Sequence, residues 1–312
     1  DLSVSDSTSS ATVSGDTAVG GFAGLTSGTA SFTNALADGT VDGLTNVGGY
    51  VGQADGDLTV SDSTSSATVS GDTTVGGFAG LTSGTTSFTS SLADGTVDGL
   101  TNVGGYVGQA AGDLSVSDST SSATVSGDTA VGGFAGLTSG TATFTNALAD
   151  GTVDGIANVG GYVGQAAGDL SVSDSTSSAT VSGDTAVGGF AGLTSGMATF
   201  TNALADGTVD GLTNVGGYVG QSDGDLSVSD STSSATVSGD TAVGGFAGLT
   251  SGTASFTNSL ADGSIDGLTN IGGYVGQAAG DLSVSDSTSS ATVSGDTAVG
   301  GFAGLTSGMA TF

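Results

Sequence analysis

The feature that most restricts this chain is repetition. DLSVSDSTSSATVSGDTAVGGFAGLTSG begins at Asp1 and returns with few changes at Asp57, Asp113, Asp169, Asp225 and Asp281. The period is 56 residues with no insertion; five copies fill 280 residues and a partial copy of 32 ends at Phe312. Each copy also hides a half-period of 28, seen when 11–38 is laid over 39–66 without a gap. Val13 then meets Val41, Val19 meets Val47, Gly20-Gly21 meets Gly48-Gly49, Phe22 meets Tyr50 and Phe32 meets Val60. Self-similarity at such a period is the signature of a stacked architecture in which each repeat is one supersecondary unit.

The 28-residue unit is built from short runs with period 2, such as Thr12-Val13-Ser14 and Ala30-Ser31-Phe32-Thr33. β-Branched and aromatic residues in strict alternation read as strand. Ser14-Gly15, Ser27-Gly28 and Asp38-Gly39 punctuate these runs as turns and leave no room for a helix. The expected fold is therefore all-β: a β-solenoid (β-helix) of about eleven stacked rungs, each with three short strands and three corners. Two unlike rungs alternate, pairing into 56-residue repeats, and 1–312 forms a single continuous array. At ~4.8 Å per rung the rod is on the order of 50 Å long. The pattern leaves open which residues of 19–25 point inward.

Strict 28-residue stacking brings like residues together. Phe22, Tyr50, Phe78, Tyr106, Phe134, Tyr162, Phe190, Tyr218, Phe246, Tyr274 and Phe302 form one aromatic ladder that holds every tyrosine of the chain. Such ladders stabilise sheets, so packing rather than ligand binding is expected of it. All 60 glycines likewise fall in fixed ladders, which calls for positive φ or close backbone approach at the same place in every rung. Gly20-Gly21 and Gly48-Gly49 do not make a phosphate-cradling loop, because no helix follows and no lysine is present.

Composition removes many functions. The chain has no Lys, Arg, His, Cys, Pro or Trp, 30 acidic residues that are all Asp, and a formal net charge of −30. No side chain neutralises phosphate, which excludes nucleic acid as a partner and an anionic bilayer as a docking surface. Imidazole and thiolate catalysis, disulfides and ordinary zinc sites are excluded with them. No apolar run approaches the ~18 residues of a membrane span, and residue 1 already lies inside the repeat, with no signal peptide in view. Charged residues are only 10 % and mean hydropathy is +0.23, unlike a disordered acidic tail.

The stretch Gly20-Gly21-Phe22-Ala23-Gly24-Leu25-Thr26-Ser27-Gly28, continued by Thr29-Ala30-Ser31-Phe32-Thr33-Asn34-Ala35-Leu36-Ala37-Asp38-Gly39-Thr40-Val41-Asp42-Gly43, resembles the GLUG-motif repeats. Gly48-Gly49-Tyr50-Val51-Gly52 repeats the likeness in the second rung type, and it extends over the whole chain. That family occurs in large microbial surface and secreted proteins of the adhesin type. The resemblance implies an extracellular or cell-surface β-solenoid stalk and implies no enzyme activity. The chain differs in its aromatic at Phe22 and Tyr50 and in the near-identity of its copies.

The aspartates obey a rule. Asp1, Asp6, Asp16, Asp38, Asp42 and Asp55 occupy six different ladders, and the neighbouring rung holds Thr29, Asn34, Leu44, Ser66, Ser14 and Ser27 there. Alternation roughly doubles the spacing of like charges to ~9.6 Å, near the screening length in physiological salt. The densest acidic pairs, Asp55 with Asp57 and Asp223 with Asp225, are the candidates for a cation, with Ca²⁺ as the alternative to no cofactor. The other three copies of this corner lose one carboxylate, because alanine stands there as Ala111, Ala167 and Ala279. The expected function is a structural, non-enzymatic, acidic rod that associates end to end or laterally into fibres; the chain starts and stops mid-pattern, so either it is part of a longer array or its ends join other copies. The alternative is a solenoid face that binds glycans or ice, suggested by the Thr12, Thr40, Thr68 and Thr96 rank.

Overall fold

A computed structural model describes residues 1–312 and is all-β, without helix. The first rung defines five strands: β1 (Leu2–Ser5), β2 (Thr8–Ser9), β3 (Thr12–Ser14), β4 (Val19–Gly20) and β5 (Ala23–Thr26). Each recurs every 28 residues and joins its copies in a parallel sheet of 11 strands, 12 for β1. Register is strict: Leu2 faces Ala30 and Ala30 faces Leu58, and Val13 faces Val41. The expected solenoid and rung length are therefore present, but with five strands per rung rather than three. Two of the five lie in the glycine-rich stretch 19–26, which is extended backbone.

The course of that stretch gives the rung its shape. β4 runs inward, turns at Gly21-Phe22, and β5 returns. The ring of Phe22 at this turn lies 5.6 Å from Phe32, and that of Tyr50 lies 5.1 Å from Phe32, edge-on at 76°. Tyr50 Oη reaches the carbonyls of Ala35 (2.6 Å) and Thr64 (2.9 Å) at the corner between the β1 and β2 sheets. Ser65 on the β2 sheet donates to Gly77 O at the same turn. The turn thus crosses the interior and touches the opposite wall, dividing the rod into two lobes.

Glycine permits this. A Cβ on Gly24 would meet Ala18 O at 2.5 Å, and one on Gly80 would meet Val47 N, Asn46 C and Gly52 O at 2.5–2.7 Å. The β4 and β5 sheets are in backbone contact, far closer than the ~10 Å between ordinary stacked sheets. No glycine has positive φ; every glycine argument here is one of close approach. The left-handed positions belong to other residues. One ladder is Asp6 (φ 49°), Asn34 (50°), Asp62 (50°) and onward, residue types whose short polar side chains tolerate that conformation. The other contains Ala18 (47°), Asn102 (50°) and Ala130 (52°). It is interrupted at Asn46 and at Thr74, whose β-branched side chain would be strained there.

Packing explains why the rungs alternate. Where an even rung supplies Ala30 and Phe32, the odd one supplies Leu58 and Val60, all fully buried. Ala79 answers Val51 in the same way. Large and small residues exchange places from rung to rung, so a constant interior volume is filled. The result is one continuous core of 72 buried apolar residues.

Candidate functional site

The aromatic ladder is where stacking placed it. Ring centroids of Phe22 and Tyr50 are 5.0 Å apart, those of Tyr50 and Phe78 4.8 Å, and those of Phe134 and Tyr162 4.9 Å. Tyr50, Tyr106, Tyr162, Tyr218 and Tyr274 are fully buried, and Phe88, Phe144 and Phe200 pack edge-on against the tyrosine of the same rung. Desolvation pushes all five phenols above their ordinary pKa of 10, outweighing the hydrogen bonds that favour ionisation. From Tyr50 to Tyr274 the ladder is inaccessible to a ligand, while Phe22 and Phe302 at its ends are only partly buried.

The aspartates lie on the surface and alternate as their register requires: Asp42 faces Ser14 on one side and Ser70 on the other. Their neighbours do more than dilute charge. Asn34 Nδ2 donates to Asp6 Oδ1 (2.7 Å) and Asn146 Nδ2 to Asp118 Oδ1 (2.7 Å). Ser70 Oγ donates to Asp42 (2.8 Å), Ser122 Oγ to Asp150 (2.5 Å), and the Thr85 amide to Asp57 (2.9 Å). Within each of these ladders the carboxylate accepts from the neighbouring rung, and whether the odd or the even rung holds the acceptor differs from ladder to ladder, a pairing that sequence spacing by itself did not reveal. The Asp16 ladder is the exception: Leu44, Leu100 and Ile156 stand between its carboxylates, each 50 % exposed, and charge separation alone applies there.

This pairing gives a direct test. Ser126 lies between Asp98 and Asp154 and donates to Asp98 Oδ1 at 2.6 Å. Ser126→Asp would place three carboxylates on consecutive strands and remove a donor. The expected cost is about 1–3 kcal/mol in low salt, shrinking as salt is raised. Chemical denaturation at two ionic strengths measures it; a variant as stable as the parent in both would contradict the donor–acceptor account.

Asp55 and Asp57, with Asp223 and Asp225, sit at the corner between the β5 and β1 sheets. Asp55 accepts from Gln53 Nε2 (2.6 Å) and Asp223 from Gln221 Nε2 (2.8 Å), while Asp57 and Asp225 accept from the amides of Thr85 (2.9 Å) and Thr253 (2.8 Å). Each carboxylate is engaged separately, and no group of three or more acids converges.

The surface is unusually smooth. Accessible area is 9763 Å², below the ~11,000 Å² that mass scaling gives for a compact monomer of this size. Small Gly, Ala, Ser and Thr side chains leave shallow corner depressions, such as that lined by Asp6, Asn34, Leu36 and Asp62. Sequence reasoning singled out the Thr12 rank on the β3 sheet, which is exposed. It passed over the outer face of the β1 sheet, where residues 3 and 5 and their equivalents are all Ser or Thr.

No protein family, no curated protein and no solved structure matches the chain.

Proposed function

We propose that the chain is the shaft of a structural rod: an acidic β-solenoid stalk or filament at the cell surface or outside the cell. The observation that carries this reading is uniformity. The same parallel strand register recurs along all five sheets, and the departures from it at Asn46 and Thr74 are confined to backbone conformation and one side-chain bond. Catalytic groups of shifted pKa must lie within reach of a substrate, whereas the phenols that burial shifts are sealed in the core. The resemblance to GLUG-motif repeats supports the extracellular setting, and a net charge of −30 favours solubility of an elongated particle. Self-association into fibres, end to end or lateral, belongs to the same reading.

Electron microscopy of the purified protein, with immunogold labelling of intact source cells, tests both halves. Straight rods of constant width and surface labelling are expected. Globular particles would refute the rod, and purely internal labelling would refute the location.

A further inference from the structure

The outer face of the β1 sheet differs from every other surface of the rod. Its inward residues, Ala30, Phe32, Leu58 and Val60, are buried, so strand alternation turns Ser31, Thr33, Thr59 and Ser61 outward. Both outward ladders are Ser or Thr in every rung, including Ser115, Thr143, Ser171 and Thr199 in one and Ser117, Thr145, Ser173 and Thr201 in the other. No aspartate enters either ladder, although Asp1 and Asp6 stand on both sides. The hydroxyls form a grid of ~4.8 Å along the rod and about 6.6 Å across it, carried over 12 strands in unshifted register.

These hydroxyls also keep most of their hydrogen-bonding capacity. The Ser3/Ser31 ladder makes no side-chain hydrogen bond within the protein, and the Ser5/Thr33 ladder makes only long contacts of 3.3–3.4 Å between hydroxyls. The β3 face is different: Ser70, Ser126 and Ser182 donate to Asp42, Asp98 and Asp154, and those charges recur on every second rung.

We propose that this face binds ordered water and, through it, the surface of an ice crystal. A rigid hydroxyl grid fixes water at lattice points. Immobilising liquid water costs up to ~2 kcal/mol for each molecule, whereas water in ice is already ordered, so the face distinguishes ice from liquid. The other occupants fit less well. A sugar-binding cleft is concave and lined with aromatics, whereas the outward side chains of this face are all Ser or Thr and the ladder aromatics from Tyr50 to Tyr274 are buried. A second copy laid face to face would bring Asp1 and Asp6 ladders against their counterparts. The inference goes beyond the rod reading, and its test does not depend on filament formation.

The experiment uses the full chain and polycrystalline ice, reading recrystallisation and incorporation of protein into the growing solid. The parent should restrain recrystallisation and enter the ice. Ser171→Tyr, which raises a ring out of the grid, should abolish both effects with unchanged circular dichroism. Thr180→Tyr, on the exposed β3 rank, should leave them intact. If Ser171→Tyr does not fold, Ser171→Lys disrupts the grid with a flexible side chain and is expected to give the same loss. An inert parent overturns the proposal, whether or not the protein dimerises or is retained on a glycan array. So does equal loss, or equal retention, in the β1-face and β3-face variants.

Discussion

Gly136→Ala should be among the most damaging single-methyl changes in the molecule. A Cβ at Gly136 would sit 2.5 Å from Asn102 C and Val103 N and 2.7 Å from Ala130 O, all backbone. No rotamer change relieves a clash with backbone, so the β4 and β5 sheets must part. Overpacking ordinarily costs about 1–3 kcal/mol, and about 3 kcal/mol or more is expected here because the obstacle cannot yield. The loss should be local. Repeat stability is a sum of unit and interface terms, so hydrogen exchange should quicken in the strands around 102–136 before it does at distant rungs. Gly301→Ala is the control: its Cβ would meet nothing within 4 Å, and stability should be unchanged. Equal behaviour of the two variants in denaturation would refute the close packing of the inner sheets.

Above pH 10 the protein should lose stability steeply. The chain has no His, Cys, Lys or Arg, so tyrosine is the side chain whose ionisation governs the alkaline range. Burial holds the phenols protonated in the fold, while in the unfolded chain they ionise near pH 10. The native contribution is complete below pH 10 and is lost as pH rises past it, because the unfolded state releases protons that the folded state retains. Each buried tyrosine contributes about 1.4 kcal/mol per pH unit, so Tyr106, Tyr162 and Tyr218 together give about 4 kcal/mol per unit. Tyrosinate absorbance and loss of circular dichroism should therefore rise together. Gradual ionisation centred at pH 10 in a protein that keeps its β spectrum would show that the ladder is solvated. Replacing all five tyrosines with Phe should remove the alkaline transition, with loss of the bonds to Ala35, Ala147 and their equivalents.

How much of this was legible in the sequence depended on whether a signal is periodic along the chain or lies across the rung. Stacking of Phe22 on Tyr50, and the alternate placement of Asp42, follow from a 28-residue offset alone, and the structure has both. The inward course of residues 19–26 does not. Its cause is contact between β4 and β5 backbones, and glycine reads equally well as a turn or as a closely packed strand. The glycine ladders left positive φ and close backbone approach open, and close approach is what they serve; positive φ falls on Asp6 and Asn34, where side-chain type is a usable clue, and on Ala18, where nothing in the residue discloses it. Donation from Asn34 to Asp6 needed side-chain geometry. The neutral β1 face could have been found by asking which ladders never carry charge, a question the Thr12 rank displaced.

The inward turn at Gly21-Phe22 has a mechanical consequence. A hollow tube under bending fails when its wall flattens into an oval and then buckles. Here a strut of two sheets spans the bore on every rung and is fastened to the far wall by Ser65 and by the tyrosine hydroxyls. Flattening would have to break those fastenings along a whole segment at once, so bending stiffness should rest on the strut as much as on the outer wall.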